Sequence, residues 1–503
     1  MFCFGAGVEE QLQVESARAD IEPVVELYDK LADLRRSVET EGRARLAAWR
    51  PLLHRRSFRP SALNLACYLS LREHDLRAIQ LALMPLGLSS LGRCESRVLE
   101  SLDAVLASLG GLTGDFEAAA HPTPAAFFRG TRLLERHTYE ALGAAPAGRN
   151  VRIMVTLGAE ATGYEHVRRL VSAGMDLGRV NLGHDTPDEW IRIANNVRRA
   201  ASEVGRPCRI VMDLCGPRAR TTEVVGDDSR VEPGAQVVLS SSPETGDAIA
   251  VGCSLPEAVE ALEPGHRVWF DEGSVGAVVV EARGGSARLR ITHTSSKGGK
   301  LRPGKGLNFP DTQLPLDSLT PKDLADLEHV CAAADAVGYS FVRTPEDVRR
   351  LQAELAARGW AALPILLKVE TRAAIENLPE LIVGTAGAQP MAIMIARGDL
   401  AVEIGHVRLA EMQEELLWLC EAAHVPVIWA TQVLDTFVRK GVHSRGELTD
   451  AAMAERAECV MLNKGPFLAE AVETLATVLT RMEGHQAKKT SRMRALGAWS
   501  TER

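Results

Sequence analysis

The spacing of apolar residues along this chain changes near residue 150. In the N-terminal part, apolar positions recur three and four residues apart, which places them on one face of a helix; the clearest series is Ile21, Val24, Val25, Leu27, Leu31 and Leu34. A second stretch, residues 63–109, is rich in Leu and Ala and contains Pro85 as a break, and Gly110-Gly111 is expected to end its last helix. The pattern predicts a helical region over residues 1–148.

From residue 151 onward, short runs of β-forming residues alternate with amphipathic stretches of helix length. The runs are 151–157, 178–182, 208–214, 336–342, 364–369, 392–396, 426–430 and 459–462. Strands that alternate with helices in this way are typical of an α/β fold with a parallel sheet. Eight of them predict a (β/α)₈ TIM barrel, with a doubly wound sheet as the alternative.

One connection is too long for a simple crossover. About 120 residues separate the third run from the fourth, and those at 222–312 alternate in short pieces rich in Gly, Val, Ser and Thr. We therefore expect a small inserted β-barrel domain. The predicted organisation is an N-terminal helical extension (1–148), a barrel (149–221 and 313–485), the inserted domain (222–312) and a C-terminal tail (486–503).

Composition and charge narrow the class of protein. The 503 residues are 46% apolar and carry a formal net charge of -8, which gives no general attraction to nucleic acid. The uncharged stretches 78–92 and 381–396 are short and broken by Gln, Gly and Pro, so no membrane span is expected. Nine scattered cysteines without a CxxC pair indicate reduced thiols, and the N-terminus lacks a basic signal region, so a cytoplasmic protein is expected.

Two charged residues end the fifth predicted strand. Lys368 and Glu370 are two positions apart, so they share one face of that strand. The carboxyl ends of barrel strands form the active site, and burying such charges without a function is costly. The sequence favours a functional pair here, with a structural salt bridge in the barrel mouth as the alternative.

The sixth predicted strand ends in Arg397-Gly398-Asp399, and a helix is expected to follow. Gly398 permits close approach of the backbone to a ligand, and amides at a helix start bind carboxylates or phosphates. Asp399 is a hard oxygen ligand, as is Glu370 on the neighbouring strand. Together they predict a Mg²⁺ site that also holds substrate oxygens; a simple turn is the alternative.

Polar residues also end the second and third strands. The arginines Arg179, Arg218 and Arg220 are expected at the same mouth as Asn181 and Asp213, and guanidinium groups suit phosphate. His184 and Cys215 are weaker candidates for a functional role. A single histidine is usually structural, and a single cysteine is usually inert.

Taken in order, the segments of residues 149–482 resemble the pyruvate kinase family. The matching segments are 154–158, 179–184, 213–221, 305–310, 319–324, 340–343, 368–370, 394–404 and 430–434. The family's fold is a (β/α)₈ barrel with a small β domain inserted after the third strand, as the pattern predicts. The resemblance implies glycolytic phosphoryl transfer between phosphoenolpyruvate and ADP, giving pyruvate and ATP, by a homo-oligomer that uses Mg²⁺ or Mn²⁺.

The resemblance also implies roles for single residues. Lys368 corresponds to the lysine that stabilises the transferring phosphoryl group and the enolate oxygen, while Glu370 and Asp399 correspond to the Mg²⁺ ligands. Arg179 would contact the phosphoryl group, and the Gly398 backbone would hold the substrate carboxylate. Thr431 corresponds to the residue beside the methylene carbon that gains a proton. The positions that correspond to nucleotide contacts are His184, Arg220 and Lys305.

A monovalent cation site is only partly retained. In the family, potassium is held by four side-chain oxygens, of which Asn181 and Asp213 remain here, whereas Gly183 and Leu214 supply none. Arg218 stands where potassium-dependent members usually have Glu. A guanidinium beside Asp213 would supply the missing charge, so no potassium requirement is expected.

Other departures point to a divergent branch of the family. The Ser-Gly-Glu-Thr loop after the eighth strand is replaced by Asn463-Lys464-Gly465-Pro466, and no C-terminal effector domain is expected after the barrel. Two alternatives stay open. One is a metal-enolate lyase, an aldolase or decarboxylase acting on a 2-oxo acid; the other is a non-catalytic regulator that binds a metabolite.

Overall fold

The computed structural model of the chain describes residues 6–113, 120–226, 229–244, 248–296, 298–314 and 316–492, and for residues 6–21 the course of the main chain alone. The helices are α1 (Ala6–Trp49), α2 (Arg59–Arg72), α3 (Arg77–Leu83), α4 (Val98–Thr113), α5 (Pro124–Phe127), α6 (Arg129–Leu142), α7 (Tyr164–Ala173), α8 (Pro187–Val204), α9 (Pro256–Glu260), α10 (Pro321–Ala333), α11 (Pro345–Ala357), α12 (Arg372–Glu376), α13 (Leu378–Ala386), α14 (Arg397–Ile404), α15 (His406–Ala422), α16 (Asp435–Lys440), α17 (Arg445–Met453) and α18 (Leu468–Met482).

The strands are β1 (Arg152–Leu157), β2 (Leu177–Asn181), β3 (Arg209–Asp213), β4 (Thr221–Val225), β5 (Arg230–Val231), β6 (Gln236–Ser240), β7 (Ile249–Cys253), β8 (Arg267–Phe270), β9 (Val275–Arg283), β10 (Ser286–Thr294), β11 (Gly299–Lys300), β12 (Leu307–Asn308), β13 (Ala336–Tyr339), β14 (Ile365–Val369), β15 (Met391–Ala396), β16 (Val427–Ala430), β17 (Cys459–Leu462), β18 (Gln486–Ala487) and β19 (Thr490–Ser491). Within the described residues, no helix combines the length and the apolar character needed to cross a membrane.

The chain forms two compact units. The N-terminal unit comprises residues 1–137 together with the short segments 386–388 and 418–425, and the barrel unit comprises the remainder. In the N-terminal unit, α1 packs on α2 and α4 through fully buried leucines such as Leu31, Leu65 and Leu102. The predicted break at Pro85 is confirmed, because this proline lies in a 3₁₀ turn, Met84–Leu86, between α3 and α4.

The predicted end of the last helix at Gly110-Gly111 is wrong. Helix α4 continues through both glycines to Thr113. Each glycine inside a helix costs about 1 kcal/mol relative to alanine. Because Gly110 lies on the buried face of α4, together with Leu106 and Leu109, the packing of that face outweighs the propensity cost.

The barrel unit contains a closed barrel of eight parallel strands, in the order β1-β17-β16-β15-β14-β13-β3-β2. This confirms the predicted (β/α)₈ fold, and the doubly wound alternative is wrong. Each barrel strand begins within one residue of the predicted run. The barrel interior is filled by apolar side chains, against which Ala141 and Leu142 at the end of α6 pack.

Carboxylates brace the N-terminal ends of three barrel strands. Asp176, just before β2, accepts a hydrogen bond from the backbone N–H of Ile153 in β1 at 2.8 Å. Two other acids do the same at 2.8 Å each. Asp335, just before β13, accepts a hydrogen bond from the Ile210 N–H of β3, and Glu458, just before β17, accepts one from the Val427 N–H of β16. These contacts satisfy strand-end amides and fix the offset between neighbouring strands.

The inserted segment forms a seven-stranded sheet, in the order β12-β8-β9-β10-β6-β7-β4, with its own buried core. Its two ends are tied together where it leaves the barrel. The Thr221 N–H donates to the Lys305 carbonyl at 2.7 Å, and the Gly304 N–H donates to the Thr221 carbonyl at 2.7 Å. The exact residues at which the domains divide stay a prediction. Of the predicted tail, residues 486–491 form the hairpin β18–β19, and 493–503 lie outside the described residues.

The buried position of Asp176 yields a stability prediction. Its carboxylate also pairs with Arg149 at 2.7 Å, where the two side chains are 7% and 5% exposed. Asp176→Asn should lower the free energy of unfolding by about 3 kcal/mol, since the buried Arg149 loses its counter-charge. Asp335→Asn is the matched control: this side chain is 39% exposed, so a loss of about 1 kcal/mol is expected. Urea unfolding measures both free energies, and equal losses in the two variants would contradict the assignment of Asp176 as a buried partner of Arg149.

Candidate active site

The register of the barrel brings the predicted strand ends to one level. Lys368 lies opposite Met394 in the β14–β15 pair, and Ala396 lies opposite Ala430 in the β15–β16 pair. Glu370 and the Arg397-Gly398-Asp399 segment therefore leave the barrel beside each other, because parallel strands end on the same side of the sheet. The predicted grouping of these residues at the barrel mouth is what the structure shows.

Lys368 is the centre of the site. Its Nζ lies 2.9 Å from Glu370 Oε1 and 3.5 Å from Asp213 Oδ2, and it donates to Ser340 Oγ at 2.7 Å. Lys368 is 8% exposed, and both carboxylates are almost fully buried. Burial opposes the charged form of the lysine, but Glu370 and Asp213 outweigh it and raise its pKa. The amine therefore stays protonated in the absence of substrate.

Asp213 joins Lys368 to Arg179. The Arg179 guanidinium donates through Nε to Asp213 Oδ2 at 2.7 Å and through Nη1 to Thr156 Oγ1 at 3.0 Å. Burial would raise the pKa of Asp213, but Arg179 and Lys368 lower it. The second carboxylate oxygen, Oδ1, has no hydrogen-bond partner among the described residues, and a Cβ built on Gly338 would lie only 1.7 Å from it. Position 338 thus requires glycine.

Glu370 and Asp399 form the acidic part of the mouth. Glu370 Oε2 accepts a hydrogen bond from the Phe341 N–H at 2.7 Å. Burial raises the pKa of Glu370, Lys368 lowers it, and the nearby charge of Asp399 raises it again. The two carboxylates therefore repel each other, and a cation between them would relieve that repulsion. No set of three or more metal-binding side chains occurs in the described part of the chain. Two carboxylates nevertheless fit Mg²⁺, because this ion commonly takes one or two protein carboxylates and fills its other coordination positions with water and substrate oxygens.

Arg218 does not lie where the sequence placed it. It was expected beside Asp213, but its Nη2 is 3.2 Å from Asp399 Oδ1. Between Asp213 and Arg218 lies the turn after β3, in which Gly216 has a φ of +66°. A Cβ built on Gly306 would lie 3.4 Å from Arg218 Nη2, so this guanidinium runs beneath the inserted segment. Arg179 and Lys368 occupy the side of Asp213 instead.

Thr431 and Gly398 are in direct contact. The Gly398 N–H, which the resemblance assigns to a substrate carboxylate, donates to Thr431 Oγ1 at 2.9 Å. Thr431 has a φ of +67°, a strained value for a β-branched residue. Arg397 holds this turn by donating to the carbonyls of Ala430 at 2.9 Å and Thr431 at 2.6 Å. Thus the threonine hydroxyl lies at the position that a carboxylate would contact.

The predicted nucleotide contacts come from two segments that meet. Arg220 pairs across a β-bridge with Gly306, and its Nη1 donates to the Gly304 carbonyl at 3.1 Å, which places it beside Lys305. The Lys305 Nζ pairs with Asp271 of the inserted segment at 3.1 Å. Burial lowers the pKa of His184, and the charges of Lys464 and Arg220 lower it further. His184 therefore belongs to the same basic region.

Three residues of the site were missed by the sequence analysis. Ser340 links Lys368 to the Leu214 carbonyl, to which it donates at 2.7 Å. Arg397 was considered only as part of a turn, although it binds Asp450 through Nη1 at 2.5 Å and stacks over Trp429. Lys464 reaches the mouth, since a Cβ on Gly158 would lie 3.1 Å from its Nζ. Two of them carried a signal in the sequence, because Arg397 is a charge directly after β15 and Lys464 is a charge two residues after β17.

The fold and the charged cluster at the carboxyl ends of its strands define a (β/α)₈-barrel enzyme. The chain belongs to the pyruvate kinase family: residues 148–472 match the family model for the pyruvate kinase barrel domain. It is 34% identical over 342 residues to a pyruvate kinase of Methylorubrum extorquens, covering 67% of this chain and 69% of that protein.

Two further relatives extend the comparison. A pyruvate kinase of Thermococcus litoralis is 30% identical over 352 residues, covering 68% of this chain and 72% of the relative. A pyruvate kinase of Geobacillus stearothermophilus is 30% identical over 344 residues, covering 67% and 57% respectively. The protein is a pyruvate kinase-like enzyme, and the matched part excludes most of the N-terminal unit.

Proposed function

We propose that the protein transfers a phosphoryl group between phosphoenolpyruvate and ADP, giving pyruvate and ATP. The observation that carries this proposal is the buried cluster in which Lys368 lies between Glu370 and Asp213, with Arg179 bound to Asp213. Phosphoryl transfer depends on positioning and on neutralising charge, which such a cluster supplies. The membership of the family supports the same reaction.

The bonds exchanged define what the residues must do. A terminal phosphate oxygen of ADP attacks phosphorus, the bond from phosphorus to the enol oxygen breaks, and the enolate takes a proton on its methylene carbon. Lys368 Nζ donates to the oxygen on which charge develops, and Arg179 neutralises the phosphoryl oxygens. Glu370 and Asp399 would hold Mg²⁺ or Mn²⁺, which when bound supplies a Lewis acid for substrate oxygens.

Residues that follow strands β15 and β16 are proposed to orient the substrate. Without substrate, the Gly398 N–H donates a hydrogen bond to Thr431 Oγ1 at 2.9 Å. The substrate carboxylate would replace this hydroxyl as the acceptor. The released hydroxyl then lies beside the methylene carbon. Arg397 keeps both groups in place through its bonds to the Ala430 and Thr431 carbonyls. The proposed exchange would give the strained conformation of Thr431 a function.

The nucleotide is assigned to the basic region between barrel and insert. Arg220, Lys305 and Lys464 offer cations to its phosphates. The lowered pKa of His184 keeps that ring neutral at physiological pH, so it serves as a hydrogen-bond partner rather than a further charge. We also propose a cytoplasmic location, a homo-oligomeric state and no nucleic-acid or membrane partner, as the sequence predicts.

A metal-enolate lyase is the second candidate. The Asn463-Lys464-Gly465-Pro466 loop, which replaces the family's Ser-Gly-Glu-Thr, is the observation that favours it. The intact Lys368, Glu370 and Asp399 set argues against a non-catalytic regulator. A lactate dehydrogenase-coupled assay separates the candidates: phosphoenolpyruvate with ADP and Mg²⁺ tests the kinase, and oxaloacetate with Mg²⁺ and no nucleotide tests the lyase. Turnover that requires ADP supports the kinase.

Lys368→Met should reduce turnover with phosphoenolpyruvate and ADP by at least about 10³-fold, because it removes a charge that stabilises the transition state. The matched control is Lys440→Met, which removes an exposed lysine at the end of α16 and should keep full turnover. Circular dichroism of both variants checks the fold. Wild-type turnover in a folded Lys368→Met protein would exclude the proposed mechanism.

Glu370→Gln and Asp399→Asn should each weaken divalent-cation binding, since each replaces an anionic oxygen with a neutral one. Binding of Mn²⁺ to the enzyme without substrate, followed by electron paramagnetic resonance, should give a dissociation constant raised about tenfold or more. Asp435→Asn, an acid paired with Arg439 outside the mouth, is the control. Unchanged Mn²⁺ binding in both site variants would remove these residues from the metal shell.

Turnover should not depend on potassium. Arg179 and Lys368 already neutralise Asp213, positions 183 and 214 offer no side-chain oxygen, and Arg218 adds a fixed cation at Asp399. Adding potassium at constant ionic strength and saturating Mg²⁺ should change turnover less than about twofold. A many-fold rise with the wild-type enzyme would show that a potassium site is intact.

A further inference from the structure

The N-terminal unit contains a cavity of about 320 Å³, a volume typical of a small-metabolite site. Every residue that lines it belongs to this unit. Helices α1, α2, α4 and α6 contribute one leucine each to its wall: Leu46, Leu63, Leu99 and Leu133. The cavity lies outside the residues matched by the pyruvate kinase barrel model, apart from His424.

The four wall leucines differ from their neighbours in burial. Each is half-buried, whereas Leu65 and Leu102 on the same helices are fully buried. Their accessible surface therefore faces the cavity rather than a packed core. Four apolar side chains around one cavity suit a hydrocarbon group, because transferring such a group from water to an apolar site is favourable in free energy.

Two polar side chains of the cavity wall, Asn64 and His424, are already engaged in hydrogen bonds. Asn64 donates to the Glu95 and Ala422 carbonyls at 2.7 Å each, and its Oδ1 accepts from the Val98 N–H at 2.9 Å. Both ring nitrogens of His424 are engaged as well, with Ser61 Oγ and the Ser96 carbonyl at 2.9 Å. Burial lowers the pKa of His424 to about 4, so the ring is neutral. The charged groups that could recognise an ionic ligand lie at the rim.

Three charged side chains line the rim. Arg59 and Arg129 each precede a wall leucine by four residues, so guanidinium and leucine share one helix face. Both arginines are exposed, and Glu100 is half-buried. None of the three side chains forms a hydrogen bond or ion pair with any described residue, unlike Arg35 and Arg43 of α1, which pair with acids. The rim has two cations, one anion and a net charge of +1.

We propose that this cavity binds a small organic monocarboxylate with an apolar body. The hydrocarbon part would lie among the four leucines, and the carboxylate would accept hydrogen bonds from Arg59 and Arg129. Glu100 disfavours ligands with several negative charges, because it would repel the additional charge. The proposal concerns a separate site and does not rest on the catalytic reaction.

Isothermal titration calorimetry on the full chain, with hexanoate and hydrocinnamate as probes, tests the ligand class. Both carboxylates should bind with one site per chain. Hexanamide, which keeps the apolar body without the charge, should bind at least about tenfold more weakly, and hexylamine should not bind. Equal affinity for hexanoate and hexanamide, or no binding of either carboxylate at 10 mM, a concentration on the order of weak metabolite sites, would overturn the proposal.

Variants at the rim give effects of opposite sign. The double variant Arg59→Ala, Arg129→Ala should weaken hexanoate binding at least about tenfold, and Glu100→Gln should strengthen it about threefold, because a like charge is removed. Arg93→Ala is the matched control, since Arg93 is exposed in the same unit but does not line the cavity. Leu133→Trp fills the cavity and should abolish binding.

Circular dichroism and turnover verify that each variant is folded. Because Glu100→Gln changes only a half-buried side chain at the rim, it keeps the test decisive even where Leu133→Trp fails to fold. Unchanged binding in the double arginine variant, or weaker binding in Glu100→Gln, would place the ligand elsewhere and refute the site.

Discussion

The burial of opposite charges at the mouth of the barrel is the constraint on which the site depends. Lys368 cannot stay protonated at 8% exposure without Glu370 and Asp213, and Asp213 in turn needs Arg179. Removing any one member leaves an uncompensated charge in a buried position. The barrel strands hold these groups at one level, so the charges compensate one another. The same arrangement would place cations where negative charge develops in the proposed phosphoryl transfer.

Both ends of the barrel use charged groups, but for different purposes. At the N-terminal ends, acids such as Asp176 and Asp335 accept hydrogen bonds from strand amides and hold the register, which is a structural role. At the C-terminal ends, charges are arranged around an opening. There Lys368 pairs with Glu370 and Arg218 pairs with Asp399, but the nearby charge of Asp399 still raises the pKa of Glu370, so a bound cation would relieve the remaining repulsion. The two ends thus differ in function: the first set of charges holds strand amides, and the second leaves a repulsion that a bound cation could relieve.

The position of Arg218 connects the inserted domain to this balance. Arg218 bonds to Asp399 at 3.2 Å and lies beside Gly306, next to the paired chain segments that carry Arg220 and Lys305. Any movement of the insert about its paired ends, at Thr221 and Lys305, would alter the surroundings of this guanidinium. Arg218 thus contacts both the proposed metal site and the segment that carries the proposed nucleotide contacts.

The sequence by itself determined the periodic features of this protein. Strand runs, the long insertion and the Lys368, Glu370 and Asp399 set follow from local pattern, since alternation and strand-end position are properties of neighbouring residues. The tertiary structure decided the rest. It showed Arg218 at Asp399 rather than Asp213, recruited Ser340 and Arg397 into the site, and carried α4 through Gly110 and Gly111. These outcomes depend on packing between residues distant in sequence, which can outweigh the local preference of a turn or a glycine.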